Sequence, residues 1–191
     1  MVYSYIVLCF LWIGYCFLHS LLANSRIKTN LQLKTGISNR WYRLAYNLFA
    51  LAGLILIIIF QANIESSLLF KKSPVIKVLS IFFIVSGIFI MAICIKAYFK
   101  QLSGIKNIKP VLVTTGIHRY VRHPLYLGTF IFLAGGVLAF PFFSNLIAFI
   151  IIVVYTLWGI NLEEKKLVEE FGKSYISYQQ SVPMILPRIS R

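Results

Sequence analysis

The chain contains no aspartate, and its whole acidic complement is five glutamates. An aspartate-dependent catalytic triad and the usual aspartate-held magnesium site are therefore excluded. Cysteine is scarce: Cys9, Cys16 and Cys94 lie inside apolar runs, without metal-ligand spacing, and read as small hydrophobic residues. Three histidines, widely placed and without thiolate partners, argue against a zinc site. No internal repeat and no low-complexity tract is present.

What the chain has in excess is apolar surface. Hydrophobic residues make up 59% of 191 positions, more than a soluble domain of this size needs. The composition reads as an all-α integral membrane protein. Apolar runs predict about five transmembrane helices, over roughly 3–23, 42–62, 76–98, 124–139 and 142–162. The first run has no basic region before it and no small-residue cleavage site, so a retained span is expected. Residues 26–43 read as a polar, basic connection. Phe140-Pro141 leaves room only for a tight turn, so the last two spans form a helical hairpin. Leu167, Val168 and Phe171 recur at helical spacing before Gly172, which predicts a cytoplasmic amphipathic C-terminal helix, with a second short helix over 173–180. The natural division is an N-terminal three-helix part, 1–98, and a part carrying the chemistry, 99–191.

The formal charge of +14 invites a nucleic-acid reading, but its distribution argues for a membrane rule and against nucleic acid. Sixteen of the nineteen basic residues fall in two loops and the C-terminal tail, which five spans place on one side; only Lys71, Lys72 and Lys77 lie on the other. Positive charge collects in the cytoplasm, which puts the N-terminus outside and the C-terminus inside.

The candidate site centres on Gly116-Ile117-His118-Arg119-Tyr120-Val121-Arg122-His123-Pro124-Leu125-Tyr126-Leu127-Gly128. Pro124 fits the first position of a helix, so His123 should lie beside free N–H groups suited to an anion. Four of the five glutamates fall within 163–170, and Glu163-Glu164 close the fifth span on the side where His123 opens the fourth. Neighbours on a helix point ~100° apart, so both cannot face away from the bundle. A carboxylate pair at a membrane helix end fits a cation such as an ammonium or a sulfonium. Gly128, Ala134, Gly135 and Gly136 either let helices approach closely or clear space for a flat ligand. Tyr175 and Tyr178 read as interfacial aromatics, and His19 as a hydrogen-bonding residue at a helix end.

Arg-His-Pro-Leu-Tyr-Leu-Gly, the apolar hairpin, Glu-Glu-Lys-Lys-Leu-Val-Glu-Glu-Phe-Gly-Lys-Ser-Tyr-Ile-Ser-Tyr and Val-Pro together resemble the isoprenylcysteine carboxyl methyltransferase and phospholipid methyltransferase superfamily, over roughly 99–187. His19-Ser20-Leu21-Leu22 and Tyr42-Arg43-Leu44-Ala45-Tyr46-Asn47 are similar to its NnrU-like bacterial branch. The resemblance implies an S-adenosyl-L-methionine-dependent methyltransferase of a bacterial inner membrane. Its acceptor would be a lipophilic molecule or a small thiol, amine or carboxylate, entering from the membrane lipids. The resemblance implies cofactor binding by Pro110, Val111, Leu112, Val113, His118, His123, Pro124, Leu125, Tyr126, Glu163 and Glu164. His118, Tyr120 and Arg122 are the candidate catalytic residues, with His118 or Tyr120 helping to deprotonate a nucleophile. No metal is required. Two positions depart from the family pattern: His118 stands where a tyrosine is usual, and Gly159 where the carboxyl methyltransferases carry an arginine for the substrate. An NADPH-dependent membrane reductase of the sterol-reductase type shares part of the motif but typically lacks the glutamate pair. A non-catalytic membrane subunit is the third alternative.

Overall fold

In the computed structural model the described residues are 1–102 and 111–187, and for 97–102 only the backbone is described. Pro110 lies outside them. Every regular element among the described residues is helical: α1 (Val2–Ala23), α2 (Ser25–Thr35), α3 (Asn39–Asn63), α4 (Pro74–Leu102), a one-turn 3-10 helix (Gly116–Arg119), α5 (Pro124–Ala139), α6 (Phe143–Phe171) and α7 (Lys173–Ser181). Four helices, α1, α3, α4 and α6, are long and apolar enough to cross a membrane; α5 is apolar but only 16 residues long. Phe10, Leu56, Phe82 and Phe89 are each more than 60% exposed on these helices. Surfaces of that kind belong in lipid, and the protein is an integral membrane protein.

Two boundaries differ from the sequence reading. The stretch expected as a polar connection carries α2. Asn24 Oδ1 accepts from the Arg26 N–H at 2.9 Å, and Gly36 takes the left-handed conformation (φ 70°) that ends the helix. The expected amphipathic helix after the fifth span is not separate. No breaker falls between Leu162 and Phe171, so α6 continues unbroken and carries Glu163 and Glu164 on its last turns. Gly172, at φ 55°, then stops it.

The chain forms two compact units. The first holds 1–69 with 142–152, around a core of Leu8, Trp12, Ile57 and Ala148. A polar chain crosses it: Trp12 Nε1 donates to Gln61 Oε1 at 2.8 Å, and Gln61 Nε2 donates to Asn145 Oδ1 at 2.6 Å. His19 sits, as expected, in a helix-end hydrogen bond, with the Tyr46 hydroxyl 3.0 Å from its ring.

The second unit holds 70–141 and 153–191. Its helices α4 and α5 meet nearly backbone to backbone. A Cβ on Gly87 would lie 2.6 Å from the Phe132 nitrogen and 2.7 Å from the Gly128 carbonyl oxygen. One on Gly135 would lie 2.8 Å from the Ile84 nitrogen, whereas one on Gly136 would meet nothing within 4 Å. Gly128 and Gly135 are thus a packing seam, which small residues make possible in lipid. A smaller core of Tyr175, Tyr178 and Val182, packed against Leu112, Leu167, Val168 and Phe171, folds α7 back onto the end of α6.

Candidate functional site

The site is built where α5 starts and α6 ends. Gly116 (φ 63°) turns the chain into the 3-10 helix, which places His118 inward and Tyr120 outward at 65% exposure. Pro124 then opens α5 with His123 as its cap residue. Proline needs no N–H partner here, and the N–H groups of Leu125 and Tyr126 have no helical carbonyl to reach.

Arg122 turns inward and is only 9% exposed in its side chain. Its Nε and Nη2 both donate to Glu164 Oε1 at 2.8 Å, and Nη1 donates to the carbonyls of Gln179 and Val182. Its backbone N–H reaches the Pro183 carbonyl at 2.9 Å, and that of His123 the Met184 carbonyl at 3.0 Å. The last described segment is thereby laced to the start of α5.

The two glutamates separate by environment. Glu164 is buried and collects four donors: two from Arg122, His123 Nε2 at 3.0 Å and Gln179 Nε2 at 2.9 Å. Its charge is matched by the Arg122 guanidinium, as a buried carboxylate requires. Glu163 is 44% exposed in its side chain. It accepts from the Tyr126 hydroxyl at 3.0 Å, and its Oε2 stands 3.9 Å from His123 Nδ1. Among the described residues no lysine or arginine pairs with it.

The His123 and Tyr126 rings lie 5.7 Å apart and tilted, completing a corner of two rings and one carboxylate. One turn earlier on α6, a Cβ on Gly159 would meet no atom within 4 Å. His118 Nδ1 lies 3.3 Å from the Arg122 carbonyl oxygen. Burial holds the His118 imidazole below its ordinary value; the Arg122 carbonyl opposes this, and His123 adds to it.

Of the remaining residues expected at the site, Pro124 is buried at the start of α5, and Leu125 is 39% exposed. Val111 is exposed, Val113 half-buried, and Leu112 packs on the α7 core. Tyr175 and Tyr178, expected as interfacial aromatics, are instead buried under the site, at 1% and 7% exposure. Three residues apart, they share one face of α7, and that face meets the end of α6. The Tyr178 hydroxyl donates to the His118 carbonyl at 2.6 Å, and burial pushes its ionisation up to about 12. Gln179 carries no signal in the sequence, because one amide in a polar tail has no pattern to stand out from.

The model of the family described as NnrU protein matches residues 6–186. The chain is also similar to a protein-S-isoprenylcysteine O-methyltransferase of Schizosaccharomyces pombe, 40% identical over 85 residues, covering 44% of this chain and 36% of that protein. It is similar to a methanethiol S-methyltransferase of a Pseudomonas species, 32% identical over 126 residues, covering 58% and 45% of the two chains. A protein-S-isoprenylcysteine O-methyltransferase of Saccharomyces cerevisiae is 38% identical over 84 residues, covering 41% of this chain and 34% of that one. The chain thus spans less than half the length of these curated relatives. No solved structure matches it.

Proposed function

This chain belongs to the NnrU family, and on that premise we propose that it is an integral-membrane S-adenosylmethionine-dependent methyltransferase whose acceptor is a small or lipophilic molecule reached from the bilayer. One observation carries the reading: of two adjacent glutamates, one is neutralised inside the protein and the other is left half-exposed, without a lysine or arginine among the described residues. A carboxylate held at the end of an apolar helix is costly unless it serves a cation.

The residues fit the group by their chemistry. Glu163 is a counter-charge for an ammonium, and the first turn of α5 offers N–H groups to a carboxylate. His123 and Tyr126 present ring surface to a nucleoside. When bound, the sulfonium supplies the methyl carbon to an in-line nucleophile. The chain contributes orientation and exclusion of water. Arg122 and Glu164 hold the start of α5 against the end of α6, which fixes the distance from Tyr126 to Glu163. Burial favours the neutral form of His118, the form able to take a proton from an acceptor.

The acceptor reading follows from missing charge. Arg122 is committed to Glu164, and one turn from Glu163 a Cβ on Gly159 meets no atom of the described residues within 4 Å. Among the described residues a carboxylate acceptor finds no counter-charge there, whereas a neutral thiol or amine needs none. The similarity to methanethiol S-methyltransferases agrees with this. We further infer that α5 crosses the membrane with the other four, giving five spans in a bacterial inner membrane with the C-terminus cytoplasmic. The reductase reading is set aside because the relatives named above are methyltransferases.

The test is direct titration of the full chain in detergent or nanodiscs. S-adenosylmethionine is expected to bind at micromolar concentration, about −8 kcal/mol, with S-adenosylhomocysteine competing. Tight NADPH binding with no response to either nucleoside overturns the reading.

A further inference from the structure

The side chain least explained by a simple cofactor cradle is His123. It is 6% exposed, yet both its ring nitrogens face carboxylates: Nε2 lies 3.0 Å from Glu164 Oε1, and Nδ1 lies 3.9 Å from Glu163 Oε2. The charged and titratable groups around it are these two glutamates on α6, Arg122 beside it in the chain, Tyr126 on α5, and His118 in the 3-10 helix.

Hydrogen-bond bookkeeping decides what the ring can do. Glu164 Oε1 takes two N–H bonds from Arg122, so it is an ionised carboxylate and can only accept. His123 Nε2 must therefore carry the proton in that contact. In a neutral imidazole the other nitrogen is then a bare acceptor. Nδ1 is turned toward Glu163 Oε2, also an acceptor, across a gap too long for a hydrogen bond and short enough for one donor group to serve both. The Tyr126 hydroxyl is already given to Glu163, and the buried Tyr175 hydroxyl stands near Glu164 without a hydrogen-bond partner among the described residues.

We propose that Glu164, clamped by Arg122 and Gln179, is a positioning residue that fixes the tautomer of His123. Nδ1 and Glu163 then form a paired acceptor that selects a cation bearing N–H donors over one without them. Glu164 does not touch the bound group; it acts through the ring. Gln179 contributes by holding Oε2 at 2.9 Å, so that the carboxylate cannot rotate its other oxygen toward the ring. The tautomer stands on geometry alone, and its use for an ammonium rests on the cofactor reading above.

The chain has three histidines, His19, His118 and His123, so nitrogen NMR of histidine-labelled protein in nanodiscs can be assigned with single substitutions at His19 and His118. Spectra at about pH 8 without any ligand read the protonation of each ring nitrogen directly, and a His123 protonated on both nitrogens overturns the proposal. The expected result is His123 protonated on Nε2 and bare on Nδ1. In Glu164→Gln, whose amide can donate as well as accept, a mixture of tautomers is expected. A wild-type His123 protonated on Nδ1 overturns the proposal, and needs no variant that folds. So does a tautomer unchanged in Glu164→Gln. The second readout is selectivity between S-adenosylhomocysteine, which carries an ammonium, and 5′-methylthioadenosine, which lacks the amino-acid end. Glu164→Gln should narrow that preference by about fivefold, one hydrogen bond's worth, beyond any loss that the two ligands share. Equal loss of both marks a structural role and overturns the selection. The expected tautomer in a protein that binds neither nucleoside upholds the relay and sinks the cofactor reading instead.

Discussion

At the residue scale, adjacent glutamates divide their labour because a helix rotates ~100° per residue. Glu164 faces the core of its unit and Glu163 its flank, and each meets what that direction offers. The sequence reading could find this pair, since carboxylates are so few that four within eight positions stand out. It could not tell which of the two was neutralised. That depends on Arg122, 42 residues away, and on Gln179 and the carbonyls after it. Arg122 was expected among the catalytic candidates; its guanidinium donates to Glu164 and to the carbonyls of Gln179 and Val182. His118 gives a prediction at this scale. Its folded-state imidazole titrates below the ordinary value, chiefly because it is buried. An unfolded chain therefore takes up the proton first as pH falls. Stability from this group is fully present above ~6.5 and is lost as pH drops below it toward the folded value. Thermal melts of wild type and His118→Asn, compared between about pH 7.5 and pH 5, should converge at the acid end. A constant difference across that range contradicts the assignment.

At the element scale, helix existence was legible and helix partnership was not. Apolar run length set the positions of α1, α3, α4, α5 and α6. The α2 helix was missed because it is polar and buries no residue, which leaves no periodic signal. The small residues of α5 had two readings, close packing or ligand space, and the partner decides between them: Gly87 on α4 faces Gly128 and Phe132. Gly87→Ala should push these helices apart, because its new methyl would meet backbone, which cannot swing aside as a side chain can. Overpacking of this kind costs roughly 1–3 kcal/mol. Gly136→Ala places its methyl in open space and should melt like wild type or slightly higher. Detergent melts of the two variants check this, and equal behaviour would refute the seam.

At the scale of the whole molecule, charge distribution and composition were the informative features. Apolar content alone announces a membrane protein, because surfaces such as those of Phe82 and Phe89 have no other solvent. The proposed topology rests on the 16-to-3 partition of basic residues. A reporter fused after Arg191 should be active only in the cytoplasm. Cysteines placed at Lys71 or Lys72 should react with an impermeant reagent in intact cells. Labelling from outside near Arg191 would invert or change the count of spans. The acceptor was not legible at this scale: the proposal for it rests on the open space beside Gly159, and a missing side chain names nothing by itself.

The central claim is that Glu163 is kept free to hold a cationic cofactor. It is tested most directly by cofactor affinity in Glu163→Gln, which keeps size and hydrogen bonding and removes the charge. A charge-assisted hydrogen bond at a partly buried site is worth roughly 1.5–3 kcal/mol, so S-adenosylmethionine affinity should fall about 10- to 150-fold with the melting temperature unchanged. Glu169→Gln and Glu170→Gln, at exposed positions on the same helix, should bind within about fivefold of wild type. Wild-type affinity in Glu163→Gln, or a common fall in all three variants together with their melting temperatures, would contradict the account.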